Sequence, residues 1–175
     1  MSDFHTPPTY RLRQARAEED VLLPAIEERA GRLFGTSAHP EVVGHASMTP
    51  QMVAAHRLQG LCFVMADEHD RPVGFAACGQ LDDALHLYEL NVEPAHGKKG
   101  LGRALVEAVC AQARIRGLRA VTLSTFTDVP WNAPFYRHAG FRILPPQSWT
   151  PALHFVAGHE RAMGLTSRCI MSRDV

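Results

Sequence analysis

Pro94-Ala95-His96-Gly97-Lys98-Lys99-Gly100-Leu101-Gly102-Arg103 is the stretch that decides how the rest of the chain is read. It lies between an apolar run of strand length, Leu85 to Val92, and the clearest amphipathic pattern in the sequence, Gly100 to Arg116. Pro94 has no N–H for a ladder, so the strand ends there. Glycines let the backbone turn so that its amides converge on an anion, and the start of the helix that follows adds the positive end of its dipole. Lys98 and Lys99 are the only lysines in the chain. From Gly97 to Arg119 there are six basic residues and one acidic, a local net of +5, in a chain whose 18 basic and 18 acidic residues cancel. Such a concentration at a helix start suits a pyrophosphate or nucleotide phosphate. A Walker A loop ends in Lys followed by Ser or Thr, which this stretch lacks. A Rossmann fingerprint needs a glycine where Leu105 stands.

Working outward, Tyr10 to Arg16 alternates as a strand, and Leu22, Leu23, Ile26, Ala30, Leu33 and Phe34 recur at helical spacing up to Gly35. Thr36 to Ser47 reads as a loop. Thr49 and Pro50 are an N-cap and first-turn pair that starts a helix running to Gln59. Leu61–Ala66 and Val73–Cys78 flank the turn Asp67 to Pro72 and form a hairpin. In the central helix, Leu101, Leu105, Ala108 and Ile115 make an apolar face, and Arg103, Glu107 and Arg114 a polar one. Val121 to Phe126 is a strand. A short helix follows Pro130, Phe141 to Leu144 is a strand, Thr150 and Pro151 start a last helix, and Thr166 to Ser172 reads as an edge strand. The expected order is β-α-α-β-β-β-α-β-α-β with a late helix and strand: an α/β mixed sheet with helices on both faces. One domain is expected over residues 10–173, after a tail over residues 1–9.

The loop resembles the acyl-CoA pyrophosphate loop of the GNAT superfamily of N-acetyltransferases, Q/R-x-x-G-x-G/A. Gly100 and Gly102 match the small positions, and Gly97 stands where the family has Gln or Arg. Trp131-Asn132-Ala133-Pro134-Phe135-Tyr136-Arg137-His138-Ala139-Gly140-Phe141 is similar to that family's N-x-x-x-x-Y-x-x-x-G-F block, and lies one helix and one strand downstream, as in the family. The resemblance implies a GNAT-like fold and acetyl-CoA as co-substrate, with no metal. It implies that Leu90, Asn91 and Val92 line the pantetheine arm, with the Leu90 amide as oxyanion donor. Gly97, Lys98, Lys99, Gly100, Leu101, Gly102 and Arg103 would hold the pyrophosphate, and Asn132 would contact the arm. Tyr136 would be the general acid, since a phenol with an ordinary pKa near ~10 is protonated at neutral pH. Glu89 is the candidate base; His86, three residues earlier, is the alternative.

Composition sets the outer limits. Of 175 residues, 46% are hydrophobic, enough for one core. Zero net charge argues against a nucleic-acid binder. No run reaches the ~18 apolar residues of a membrane span, so no membrane partner is expected. The four cysteines show no C-x-x-C, which fits reduced thiols in the cytoplasm. Asp67 to Glu93 holds seven acidic residues and one basic, read either as a solvated turn or as a cleft for cationic amines. A small-molecule amine or, second, a protein N-terminus is the expected acceptor, with Phe34, Trp149, His154 and Phe155 as candidate walls. A homodimer through the C-terminal strand is compatible with the resemblance. An idle acyl-CoA sensor on the same fold and a Rossmann-like nucleotide binder are the competing readings.

Overall fold

The computed structural model describes residues 9–44 and 47–175, so the expected tail, apart from Thr9, and positions 45 and 46 of the expected loop lie outside the described residues. The elements are β1 (Arg11–Gln14), α1 (Leu23–Gly31), α2 (Pro50–Leu58), β2 (Cys62–Ala66), β3 (Pro72–Leu81), β4 (Ala84–Val92), α3 (Leu101–Ile115), β5 (Ala120–Phe126), α4 (Ala133–His138), β6 (Arg142–Ile143), α5 (Pro151–Ala162) and β7 (Arg168–Asp174). This is the expected element order. The strands hydrogen-bond as β1-β2-β3-β4-β5-β7-β6, a mixed seven-strand sheet. By contacts the chain groups into two compact units, Met1–Cys78 with Glu89–Val109, and Gly79–Tyr88 with Cys110–Val175.

In the first unit β1, β2 and β3 are antiparallel, with Arg11 opposite Ala66 and Phe63 opposite Ala76. The Thr49 hydroxyl accepts from the Met52 amide at 3.2 Å, satisfying one orphan donor of α2, and Pro50 sits where no N–H is needed. In α1, Leu23, Ile26 and Ala30 turn inward, and Leu23, Ile26, Val53, Val64 and Phe75 form the centre of a core cluster. The helix expected to reach Phe34 stops at Gly31, a poor residue for a helix interior, and tightens into a 3-10 turn over Arg32–Thr36. In the hairpin turn the Asp67 carboxylate accepts from the amides of His69 and Arg71, each at 2.9 Å. Gly74 of β3 lets β4 come close: a Cβ there would lie 2.8 Å from the Asn91 carbonyl oxygen.

In the second unit the first half of β4 runs parallel to β5, Ala84 opposite Ala120 through Leu87 opposite Leu123. β5 pairs antiparallel with β7 from Ala120–Asp174 to Phe126–Arg168, and β7 pairs on its other side with β6. The C-terminal segment, expected at an edge, is therefore an inner strand, with β5 along its length on one side and β6 opposite Met171 and Ser172 on the other. The outer position falls to β6, shortened to two residues because Pro145 and Pro146 follow. Neighbouring side chains of β5 point to opposite faces. Ser124 donates to Glu160 of α5 at 2.6 Å and Thr125 to Asn132, which immediately precedes α4, at 3.1 Å, so this part of the sheet is covered on both faces.

Two side chains of α3 depart from the expected faces. Ile115 shares the wheel position of Leu101 but lies in the final turn and is 78% exposed. Glu107, expected on the polar face, is only 7% exposed, 4.0 Å from the Arg103 guanidinium. Among the described residues no helix is long and apolar enough to cross a membrane.

Gly74→Ala must push against backbone rather than a flexible side chain. It is expected to cost about 1–3 kcal/mol, seen as a lower urea midpoint. Gly158→Ala, in α5 with nothing within 4 Å of the added carbon, is expected to raise that midpoint. Equal midpoints for wild type and Gly74→Ala would show that β3 and β4 have room to part.

Candidate functional site

In the first unit, β4 ends at Val92, a 3-10 turn follows over Pro94–His96, and α3 begins at Leu101. Between them the backbone takes the left-handed region twice, at Lys98 (φ 59°) and Gly100 (φ 80°). Gly100 does so without steric cost; Lys98 does not, which marks the loop as held in place by its surroundings. The amides of Lys98, Lys99, Gly100, Leu101 and Gly102 donate to no backbone carbonyl among the described residues. The segment thus presents a row of donors at a helix N-terminus. A Cβ at Gly97 would lie 3.3 Å from the Pro94 carbonyl, so the tight turn itself accounts for glycine at that position.

The two lysines differ. Lys99 Nζ donates to the Tyr10 hydroxyl at 2.9 Å and lies 5.5 Å from the centre of its ring, and the same hydroxyl lies 2.9 Å from His96 Nδ1. Tyr10 thereby joins both ends of the loop to the start of β1. Lys98 is exposed. Arg103 stands in the first turn of α3, half exposed.

Leu90, Asn91 and Val92 are half-buried at the end of β4. Glu89 Oε2 accepts from Asn91 Nδ2 at 3.0 Å, and Glu89 Oε1 lies 2.5 Å from Ser47 Oγ. Ser47 in turn contacts Glu27 of α1, whose Oε1 accepts from the Ser47 amide at 2.6 Å and whose Oε2 accepts from the Met48 amide at 3.0 Å. Neither Ser47 nor Glu27 stood out in the sequence. The available signal was an acid among Leu23, Ile26 and Ala30 on the inward face of α1.

In the second unit His86 is 2% exposed, with Nδ1 2.9 Å from Thr122 Oγ1. Burial pushes its pKa down to about 4, with Glu160 opposing and Arg168 adding to the shift. Glu160 holds the Arg168 guanidinium at 2.7 Å. Glu160, Arg168, Ser124 and Trp149 line a cavity of about 240 Å³. Tyr136, on α4, packs edge-on between the rings of Phe135 and Phe141. Asn132 accepts from Thr125 through Oδ1, and its Nδ2 is buried with no partner among the described residues. A buried amide donor left open in this way asks for an acceptor from outside the chain.

The candidate acceptor walls scatter. Phe34 sits half-buried in a 3-10 turn. Trp149 donates Nε1 to the Leu144 carbonyl at 2.8 Å and meets His154 edge-on. Phe155 is 75% exposed and stacks on His159. The acidic run from Asp67 to Glu93 breaks into local pairs. Asp67 binds Arg71; Asp70 binds Arg11, Arg13 and Arg16, which hold its carboxyl well below the usual range; Asp83 binds Arg119; Glu93 binds Arg29. Asp82 accepts from Thr150 at 2.6 Å. A broad acidic field for cationic amines is not what these residues form.

Residues 48–141 match the model of the acetyltransferase (GNAT) family, just over half of the chain. The human protein N-acetyltransferase 8 is 31% identical over 90 residues, which are 48% of this chain and 40% of that protein. The chain thus spans well under half the length of such curated relatives. Among solved structures, the PaiA N-acetyltransferase of Thermoplasma acidophilum in complex with coenzyme A has a TM-score of 0.72 at 13% identity, covering 95% of this chain and 99% of the other. The N-acetylglutamate synthase of Neisseria gonorrhoeae, complexed with coenzyme A and N-acetyl-glutamate, also has a TM-score of 0.72, at 16% identity over 97% of this chain and 36% of the other. At these identities the two structures share the fold.

The pKa of His86 carries a stability consequence. Unfolded, the imidazole protonates near its ordinary 6.5; folded, it stays neutral down to about 4. Between those values the unfolded chain binds more protons, so stability falls as pH is lowered, by about 3 kcal/mol across the window. Thermal unfolding at pH 7 and pH 4.5 should show a smaller acid loss for His86→Gln than for wild type. An identical loss would place the proton-linked step elsewhere.

Proposed function

Since the chain belongs to the GNAT acetyltransferase family, we propose that it moves the acetyl group of acetyl-CoA to a primary amine of a small molecule. The observation that carries this reading is the loop from Gly97 to Arg103. Its open amides at the start of α3, with Lys98 and Arg103 beside them, suit a pyrophosphate. The unpartnered Asn132 amide suits a carbonyl of the pantetheine arm. Bound acetyl-CoA supplies an activated thioester; every other requirement falls to this chain.

The acceptor amine arrives as an ammonium and must lose a proton before its lone pair attacks. Glu89 takes that proton, with Asn91 holding its second oxygen. Burial and a pKa near 4 make His86 the poorer choice, and we read it as part of the interior beside Thr122. The Leu90 amide donates to the carbonyl oxygen as it gains charge, a contribution of about 10²–10³ in rate for one such donor. Tyr136 gives its phenolic proton to the departing thiolate. Lys99 serves the loop through Tyr10 more than the phosphates directly. Buried thiols outside any disulfide, at Cys62, Cys78 and Cys110, suit the reducing cytoplasm.

Calorimetric titration should show acetyl-CoA binding, with no heat from NADH or ATP. Tyr136→Phe should lower kcat about 10²–10⁴-fold with little change in acetyl-CoA affinity, measured by thiol release against a panel of amines. Glu89→Gln should remove the acidic limb of the pH–rate profile. An unchanged kcat for Tyr136→Phe, or a wild-type acidic limb in Glu89→Gln, sinks the respective role. Absence of acetyl-CoA binding overturns the whole reading.

A further inference from the structure

Ser47 stands between two carboxyl groups. Its Oγ lies 2.8 Å from Glu27 Oε1 and 2.5 Å from Glu89 Oε1. Both are hydrogen-bond distances, yet a hydroxyl has one proton and donates once. When Ser47 donates to one carboxyl, the other contact is a hydrogen bond only if that carboxyl brings the proton. Glu27 is the fixed side of this trio. It is 8% exposed, and its two oxygens accept from the amides of Ser47 and Met48. Glu89 is the side that reaches the end of β4, with Asn91 on its other oxygen. On the same elements, Arg29 of α1 and Glu93 after β4 are paired with each other at 2.5 Å, and Glu28 stands next to Glu27 in α1.

We propose that Ser47 is a positioning residue whose single O–H turns between Glu89 and Glu27 as Glu89 gains and loses a proton. With Glu89 a carboxylate, Ser47 donates to its Oε1 and Asn91 to its Oε2, so the carboxylate is aimed. When Glu89 takes a proton from the acceptor ammonium, an N–H bond breaks, the electron pair stays on nitrogen, and an O–H bond forms on Glu89. That O–H donates to Ser47 Oγ, and the Ser47 hydrogen turns to Glu27 Oε1. The proton leaves Glu89 for water after the amide product has gone, and the hydroxyl turns back. In both states each carboxyl oxygen of the trio keeps at least one hydrogen bond, from Ser47, from Asn91 or from the amides of Ser47 and Met48. This inference rests on Glu89 as the base.

The test needs no acceptor. In the full chain labelled with ¹³C at the glutamate carboxyls, with Glu27 and Glu89 assigned through Glu27→Gln and Glu89→Gln, the Glu27 carboxyl signal is followed across the titration of Glu89. The expected result is an inflection of Glu27 at the Glu89 midpoint in wild type and in Ser47→Thr, and its loss in Ser47→Ala. A Glu27 signal that ignores Glu89 in wild type overturns the proposal, as does an inflection that survives in Ser47→Ala. If Ser47→Ala does not fold, wild type and Ser47→Thr still decide through the first criterion. The base reading is judged separately, by the pH–rate profile of Glu89→Gln.

Discussion

The first amides of an α-helix have no carbonyl behind them to bond, and the start of α3 is arranged around that lack. A chain that spent those donors on a capping side chain would have none left for an anion. Here no capping hydroxyl or carboxylate precedes Leu101; the residues before it are glycines and lysines. Pro94 stops the strand, Gly97 lets the turn close against the Pro94 carbonyl, and Lys98 and Gly100 bend the backbone through the left-handed region. A loop this bent and this poor in its own hydrogen bonds needs holding from outside, and Tyr10 does so through Lys99 and His96. The same demand explains Gly74, whose missing Cβ lets β3 lie close to Asn91 just before the loop begins.

Several charges elsewhere among the described residues are settled locally. Arg13 joins Glu19, which is almost wholly buried, and Asp70, and the two acids hold its guanidinium firmly protonated. Arg57 binds Asp20, and Arg168 binds Glu160. Partly buried pairs of this kind fix geometry more than they add stability. Their effect is to leave the loop before α3 as a place where cationic side chains are not matched one for one by acids, even though the chain as a whole is neutral.

Much of this was legible because it is written in neighbouring residues. Thr49-Pro50 and Thr150-Pro151 announce helix starts, and both threonines cap as expected. The loop and the Asn132–Tyr136 block carry the resemblance to the family within short windows. What could not be read depends on contacts across the chain. Whether the last strand lies at an edge is decided by where Arg142 and Ile143 return, not by its own sequence. The burial of Glu107 and the exposure of Ile115 depend on what covers each face of α3, which periodicity does not encode. Ser47 meets Glu27 and Glu89 across 20 and 42 residues. His86 alternates like any strand residue, and only the packed structure turns it toward Thr122.

The placement of the two lysines has a consequence for covalent chemistry. Every side-chain primary amine of this protein lies in one loop. A reagent that seeks such amines, whether an activated ester or a thioester reacting without a catalyst, therefore meets two targets of unequal standing. Both are exposed, but Lys99 is already engaged by a phenol. The rest of the surface carries its positive charge on arginine, which does not acylate under the same conditions. Labelling directed at the side-chain amines of this molecule is in effect labelling of a single backbone turn.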